Sequence, residues 1–397
     1  MKTAQISLPA RRTRISLFFF FYGFTFATWA SRIPAIQQSL HLSESELGAV
    51  LLAMPVGSFL TLPVSGYLTS KIGSRKVVTG ASLIYTCLLV GIGFSGTVFQ
   101  LAVCLFLFGS AGNMMNIAIN TQALSLEKLY KKTIISSFHG MWSIAGLAAA
   151  SLGTYLIGKS FPVSSHFLLV ASISLCSFLL CIPYLLTDTI RQQEKRPFFT
   201  RPDKAFLGLG LITFCSMICQ GAMFDWSGVY FKKVVTDNPA YIGIGYTAFM
   251  VSMALVRFIT DWLTLHMGFK KIIAWCGVFA TVGLLVAVFF PYLLPATIGL
   301  FFVGVGVSPA VPMVFSVAGR SKVLSPPLAI AAVSSIGFIG LLIGPPMIGF
   351  IAGVTSLKIS FLILSLFGMA ITALALTVKT DNKNEFSGRT RAQLDEK

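Results

Sequence analysis

Apolar runs long enough to cross a lipid bilayer recur along nearly the whole chain, and no other feature constrains the fold as strongly. A hydrocarbon core of about 30 Å takes roughly 20 helical residues. Such runs fall at residues 15–36, 47–70, 77–96, 98–122, 134–158, 165–186, 205–231, 240–265, 272–290, 292–317, 326–353 and 357–378. Only 11% of the residues are charged and 55% are hydrophobic, whereas a soluble domain carries roughly 25% charge. The expected fold class is an all-α membrane protein with twelve transmembrane helices. Arg11, Arg12 and Arg14 followed by "ISLFFFFYGF" imitate a signal peptide. The run is long, no convincing small-residue cleavage site follows, and it reads as the first span.

A net charge of +17 raises the question of nucleic acid, and the answer depends on where the charge lies. With the N-terminus inside, the outer loops hold only Lys159, Lys232, Lys233 and Lys358, and Arg32 and Arg257 sit within spans, which leaves 24 of the 30 Lys and Arg for the inner segments. The positive-inside rule then puts both termini in the cytoplasm, as an even number of spans requires. The charge reports orientation, and no nucleic-acid partner is expected. All seven cysteines fall within predicted spans without metal-ligand spacing and read as small apolar packing residues.

The longest polar interruption before the tail, "TDTIRQQEKRPFFTRPDK", starts at Thr187 and divides the spans six and six. The expected organisation is a six-helix bundle over 1–186, a cytoplasmic linker over 187–203, a second bundle over 204–378 and a cytoplasmic tail over 379–397. The halves correspond. Trp29 in "TWASRIP" answers Trp226 in "DWSGVYF" at an offset of 197, while Leu47-Gly48 answers Ile242-Gly243 and Gly73 answers Gly268 at 195. A duplicated six-helix unit follows, and parallel repeats of this kind build transporters whose halves rock about a central site.

The loop "GYLTSKIGSRK" at Gly66 and its counterpart "RFITDWLTLHMGFKK" at Arg257 resemble the cytoplasmic signature of the major facilitator superfamily. Glycine permits the tight turn, and the basic residues hold the loop inside. Gly73, Arg75, Arg257 and Asp261 are therefore candidate gating residues; Ser70 replaces the acid of the first copy, which shifts the latch toward Asp261. The blocks "ATWASRIPAIQQSLHLSESELGAVLLAMPVGS", "NTQALSLEK", "SSFHGMWSIAGLAAA", "QGAMFDWSGVYF" and "SVAGRSKVLSPPLAIAAVSSIGFIGLLIGPPMIGFIAGVTSLK" are similar to those of the bacterial MosC/YbjJ-like group of that superfamily. The resemblance covers nearly the whole chain. It implies the major facilitator fold, a bacterial inner-membrane location and small polyol- or sugar-like solutes. Relatives often carry a glutamate where this chain has Gln220, so Asp225 is left as the one carboxylate of the seventh span.

Charges within hydrocarbon cost at least about 2.5–3.5 kcal/mol on insertion scales, so each marks a functional candidate. Asp225 could bind and release a proton during transport, or serve as a fixed structural ion pair. Arg32 lies at a comparable depth by the repeat; it could pair with Asp225 and gate the outer face, or reach for water. His139 is a second candidate for proton coupling. Trp29, Trp142 and Trp226 offer flat surfaces to a solute. Asn113, Asn116 and Asn120 form one helical stripe of amides suited to hydroxyl-rich solutes, or to helix-to-helix hydrogen bonds. Gln220 lies near the midplane, where solute sites are expected. Gly304, Gly306, Pro309 and Pro312, and "GPP" at Gly344, mark expected bends.

No nucleotide loop, paired acid or metal-spaced His and Cys cluster points to an enzyme, and no cofactor or metal site is expected. The reading is a monomeric, proton-coupled secondary transporter, a symporter of a small polar solute working by alternating access. Two alternatives stay open: proton-driven export of a drug-like or amphiphilic compound, and a non-transporting membrane sensor.

Overall fold

A computed structural model describes residues 6–131, 134–187, 204–319 and 326–378. The expected linker beyond residue 187 and the expected tail lie outside the described residues. In helical form α1 spans Leu8–Ser39, α2 Glu44–Leu51, α3 Ala53–Ile72, α4 Ser74–Gly93, α5 Val98–Tyr130, α6 Ile135–Gly158 and α7 Val163–Cys181. Then follow α8 Lys204–Tyr230, α9 Ile244–Met267, α10 Phe269–Phe289, α11 Leu293–Val307, α12 Ala310–Ala318, α13 Pro326–Val354 and α14 Leu357–Thr377. Helices satisfy their own backbone hydrogen bonds, which is what lipid demands of a spanning segment.

Among the described residues, eleven helical segments are long and apolar enough to cross a membrane, with α2 and α3 joined in one span and α11 and α12 in another. The remaining long helix, α1, has 32 residues, more than a bilayer needs. Tyr22, Thr25, Thr28, Trp29 and Arg32 lower its hydropathy, and most of these side chains are buried. Large apolar side chains such as Phe99, Leu180 and Val354 stand exposed, as expected of surfaces that meet lipid.

Local chemistry sets several boundaries. Ser43 and Glu46 form a reciprocal capping box that opens α2, and Thr97 and Ser356 accept from the backbone at the starts of α5 and α14. Gly73 and Gly268, with φ of 88° and 75°, make the breaks between α3 and α4 and between α9 and α10, a backbone region that side chains disfavour. The expected tenth span is interrupted at Ser308–Pro309, dividing α11 from α12, because proline supplies no backbone N–H to continue the ladder. Pro345 and Pro346, by contrast, sit inside the single helix α13.

The chain divides into two compact units, residues 1–196 with 224–247, and 197–223 with 248–397. The division falls inside α8 and α9. In the first unit α1 runs against α7 through Phe18 stacked on Phe178 at 5.0 Å and Thr25 bonded to Ser174 at 3.3 Å. It also runs against α6, where a methyl at Gly23 would lie 2.8 Å from the Trp142 ring. The core of the second unit includes Ile212, Ile273, Val314, Val333 and Ile371.

The repeat is visible inside each unit. In the first, α5 crosses α3 so closely that a methyl at Gly109 would strike the carbonyl oxygen of Met54; in the second, a methyl at Gly304 of α11 would strike that of Phe249 on α9. Both members of this pair are displaced by the same 195 residues that separate Gly73 from Gly268. The same helix crossing recurs at the same register, as a duplicated unit requires.

Candidate functional site

The buried charged and imidazole side chains of the described spans, Arg32, His166 and Asp225, all belong to the first unit. Asp225, 7% exposed, lies on α8 within the segment that packs with residues 1–196. Its carboxylate is within electrostatic reach of the Tyr246 hydroxyl on α9. Phe224, beside it, meets Phe26 edge-on at 5.4 Å, Trp142 at 6.4 Å and Tyr246 at 6.4 Å. Trp142 in turn lies 6.2 Å from Phe26. An aromatic group from α1, α6 and α9 therefore gathers around Phe224, the residue before the acid.

Arg32 does not pair with Asp225. Its Nε donates to Nδ1 of His166 on α7 at 3.0 Å, and no ion pair joins Arg32 to a carboxylate among the described residues. The two residues are 2% and 0% exposed. Facing elements explain the substitution of partner: the Thr25–Ser174 bond fixes the antiparallel register of α1 on α7, and two turns further on that register brings Arg32 to His166.

At the same end of the unit, the segment after α8 is tied down by cations. Beyond Tyr230 the chain makes a π-helical turn, Phe231–Val235. Lys232 donates to the Pro34 carbonyl at 3.2 Å and to Gln38, and Lys233 forms an ion pair with Glu44 of α2. Pro34 leaves room for this approach at Gly228, where a methyl would lie 2.8 Å from its ring. Thr154 of α6 bonds Thr247 at 3.0 Å.

The other predicted residues are distributed as follows. Trp29 and Trp226 are 1% and 0% exposed, with both indole N–H groups lacking a partner among the described residues. Asn116 and Asn120 are half-buried and joined to each other at 2.9 Å, while Asn113 is buried with its carbonyl oxygen unpartnered. His139 is exposed and sits edge-on to Phe19 at 5.4 Å. Gln220 is half-buried in the second unit. Arg75 is half-buried in the first turn of α4, after Gly73. Arg257 lies half-buried on α9, and the side chain of Asp261 lies outside the described residues.

Three positions emerge only in the folded chain. His166 and Tyr246 are the first two. The third is Gln122, buried, which donates to Ser74 Oγ at 2.6 Å and the Leu186 carbonyl at 2.9 Å and accepts from Leu186 N–H at 2.7 Å. Nearby, Glu127 accepts from the N–H groups of Ile134 and Ile135 at 2.7 and 3.1 Å, supplying a cap to α6. These bonds account for much of the "NTQALSLEK" block.

A duplicated helical membrane protein with buried charges in its spans and no nucleotide or metal site among the described residues has the makings of a solute transporter. The comparisons agree. The family described as the Major Facilitator Superfamily matches residues 15–322. An uncharacterized MFS-type transporter of Yersinia pestis is 30% identical over 362 residues, 91% of this chain and 94% of that protein. The membrane protein MosC of Rhizobium meliloti is 29% identical over 361 residues, 90% of this chain and 88% of that protein. Among solved structures, the nucleoside transporter NupG, in a variant form, gives a TM-score of 0.75 at 12% identity, covering 93% of this chain and 100% of that one. The fucose:proton symporter FucP of E. coli gives 0.63 at 16%, covering 93% and 98%. The chain belongs to the major facilitator superfamily. It is a multi-pass membrane transporter and not an enzyme.

Proposed function

We propose that the protein is a proton-coupled secondary transporter that takes up a small polar, sugar- or polyol-like solute by alternating access. The observation that carries this reading is Asp225: a membrane-buried carboxylate with no hydrogen bond or ion pair among the described residues and a phenol in electrostatic reach. A buried carboxylate without a fixed partner is one whose charge must be neutralised at some stage, and a proton does so reversibly. The half-exposed amides Asn116 and Asn120, with His139 and Trp142, are the polar and aromatic groups offered to a hydroxylated solute. That one structural neighbour is a fucose:proton symporter and another a nucleoside transporter supports the same class.

The distribution of Lys and Arg supports both termini in the cytoplasm, and the bacterial relatives support an inner-membrane location. The two six-helix bundles, 1–186 and 204–378, are the units that the transport cycle would act on. A second reading, export of an amphiphilic compound, draws on the aromatic group of Phe26, Trp142, Phe224 and Tyr246.

The test is solute uptake into proteoliposomes under an imposed pH gradient, with fucose, inositol, a nucleoside and a lipophilic cation in the panel. Wild-type protein should accumulate a polar solute at least about tenfold faster with the gradient than without it. Asp225→Asn should lose that stimulation while retaining solute binding. Gradient-driven uptake that survives in Asp225→Asn would remove the acid from the mechanism, and gradient-driven expulsion of the lipophilic cation would favour the second reading.

A further inference from the structure

Arg32 is a guanidinium, permanently charged, and it is 2% exposed in the seam between α1 and α7. Buried charges are ordinarily paired with an opposite charge. The described carboxylates of the first unit are otherwise engaged or placed: Glu44 with Lys233, Glu46 with Ser43, Glu127 with the start of α6, Asp237 in an exposed turn, and Asp225 on α8 without an ion pair. The one recorded partner of Arg32 is the neutral acceptor His166 Nδ1.

The neighbouring polar atoms do not supply an acceptor either. Because His166 Nδ1 accepts from Arg32, its proton sits on Nε2, and that Nε2 is buried without a partner. Arg32 Nη2, Thr28 Oγ1 and Trp29 Nε1 are likewise buried without partners among the described residues. Thr28 is one turn before Arg32 on the same face of α1, and Trp29 is about 60° around the helix from Arg32. His166 is in the first turn of α7, a helix of 19 residues with no acidic residue there. The positive end of its dipole therefore adds to the guanidinium instead of opposing it. The result is a buried Arg32–His166 pair of net positive charge, with Thr28 and Trp29 close to Arg32 along α1, and no carboxylate paired with it among the described residues.

We propose that the α1–α7 seam is a binding site for a small monoanion, a halide ion or the carboxylate group of a solute, held by Arg32 Nη2 with the neighbouring Thr28 and Trp29 of α1, the guanidinium being positioned by His166. The chemistry follows from the donors. A compact acceptor-only ligand at Arg32 Nη2 cancels the one uncompensated charge, whereas a neutral polyol leaves the guanidinium unpaired. Arg32 makes no ion pair with Asp225, and occupancy of the site is read by binding, so the inference stands whichever solute is carried.

The experiment follows the thermal midpoint of full-length protein in detergent, titrated with sodium chloride and, separately, sodium acetate, at ionic strength held constant with sodium sulfate. Wild-type protein should show a saturable rise with at least one of the two probes. A rise with chloride identifies a free ion as sufficient; a rise with acetate alone identifies a carboxylate. Arg32→Gln should weaken the apparent affinity by tenfold or more, His166→Phe should weaken it measurably, and Asp225→Asn should leave it intact. In sulfate alone, Arg32→Gln should melt no lower than wild type, because an unpaired buried charge has been removed. That comparison separates an anion site from a purely structural Arg32–His166 bond, whose loss would lower the midpoint at every anion concentration. A flat wild-type titration, or a rise that Arg32→Gln keeps unchanged, would overturn the proposal.

Discussion

Gln122 shows what a single residue does in this fold. Its side chain closes three hydrogen bonds at once, one to the start of α4 and two to the chain beyond α7. Replacing it with leucine removes the acceptor of the Leu186 N–H and the donor to Ser74. Leaving a buried polar group unpaired costs about 1–3 kcal/mol. Gln122→Leu should therefore lower the thermal midpoint of the purified protein, while Gln122→Glu should recover part of the loss by keeping the acceptor. The sequence placed Gln122 at the end of a span as one more amide, since nothing local reports that residues 48 and 64 positions away meet there. Asp225 was legible because carboxylates are rare in apolar runs; that Tyr246 lies in its reach was not. Arg32 was equally visible as a charge out of place, but the two roles the sequence offered it were a pair with Asp225 or a reach for water, and it is buried against His166, on the antiparallel neighbour.

At the scale of the helix, glycine decides how closely axes approach. Gly109 against Met54 and Gly304 against Phe249 are backbone-to-backbone contacts, where no flexible side chain can give way. Gly109→Leu and Gly304→Leu should each destabilise by about 1–3 kcal/mol or more, as overpacking does. The two variants should behave alike because they occupy the same position of the repeat. Melting of each in detergent checks this, and near wild-type midpoints for both would contradict the close crossing. Eleven of the twelve expected spans are helices long and apolar enough to cross a membrane among the described residues, and their ends were not legible. α5 continues to Tyr130, eight residues past its expected end, because Glu127 and Lys128 on its last turns can leave the apolar layer while the helix hydrogen bonds continue. The break at Ser308–Pro309 was foreshadowed by its glycines and prolines, while the equally conspicuous pair Pro345-Pro346 did not divide α13.

For the whole molecule, the functional question is what holds the segment after α8 against α1, α2 and α6. Lys232 and Lys233 reach Pro34, Gln38 and Glu44, and Gly158 lies so close to Ala240 that a methyl there would sit 3.4 Å from the Ala240 side chain. Cβ atoms about 3.5–4.5 Å apart suit a disulfide. In a variant with Gly158→Cys and Ala240→Cys and the native cysteines replaced, oxidation should stop solute uptake and reduction should restore it, if opening of this contact belongs to the transport cycle. A membrane-impermeant thiol reagent applied to intact cells should label the reduced pair, and labelling only after lysis would reverse the proposed orientation.

The sequence by itself determined the membrane class, the helical content, the duplication at 195 residues and the superfamily, because each depends on composition and spacing along the chain. Apolar length reports the solvent that a segment must meet, and glycines and prolines report where its backbone can turn. Only the tertiary structure decided the partners of the charges. Asp225 was set within reach of Tyr246, and Arg32 was joined to His166 across 134 positions. Which charge meets which group depends on helix register and neighbour order, and these are fixed by close packing between segments that the linear chain keeps far apart.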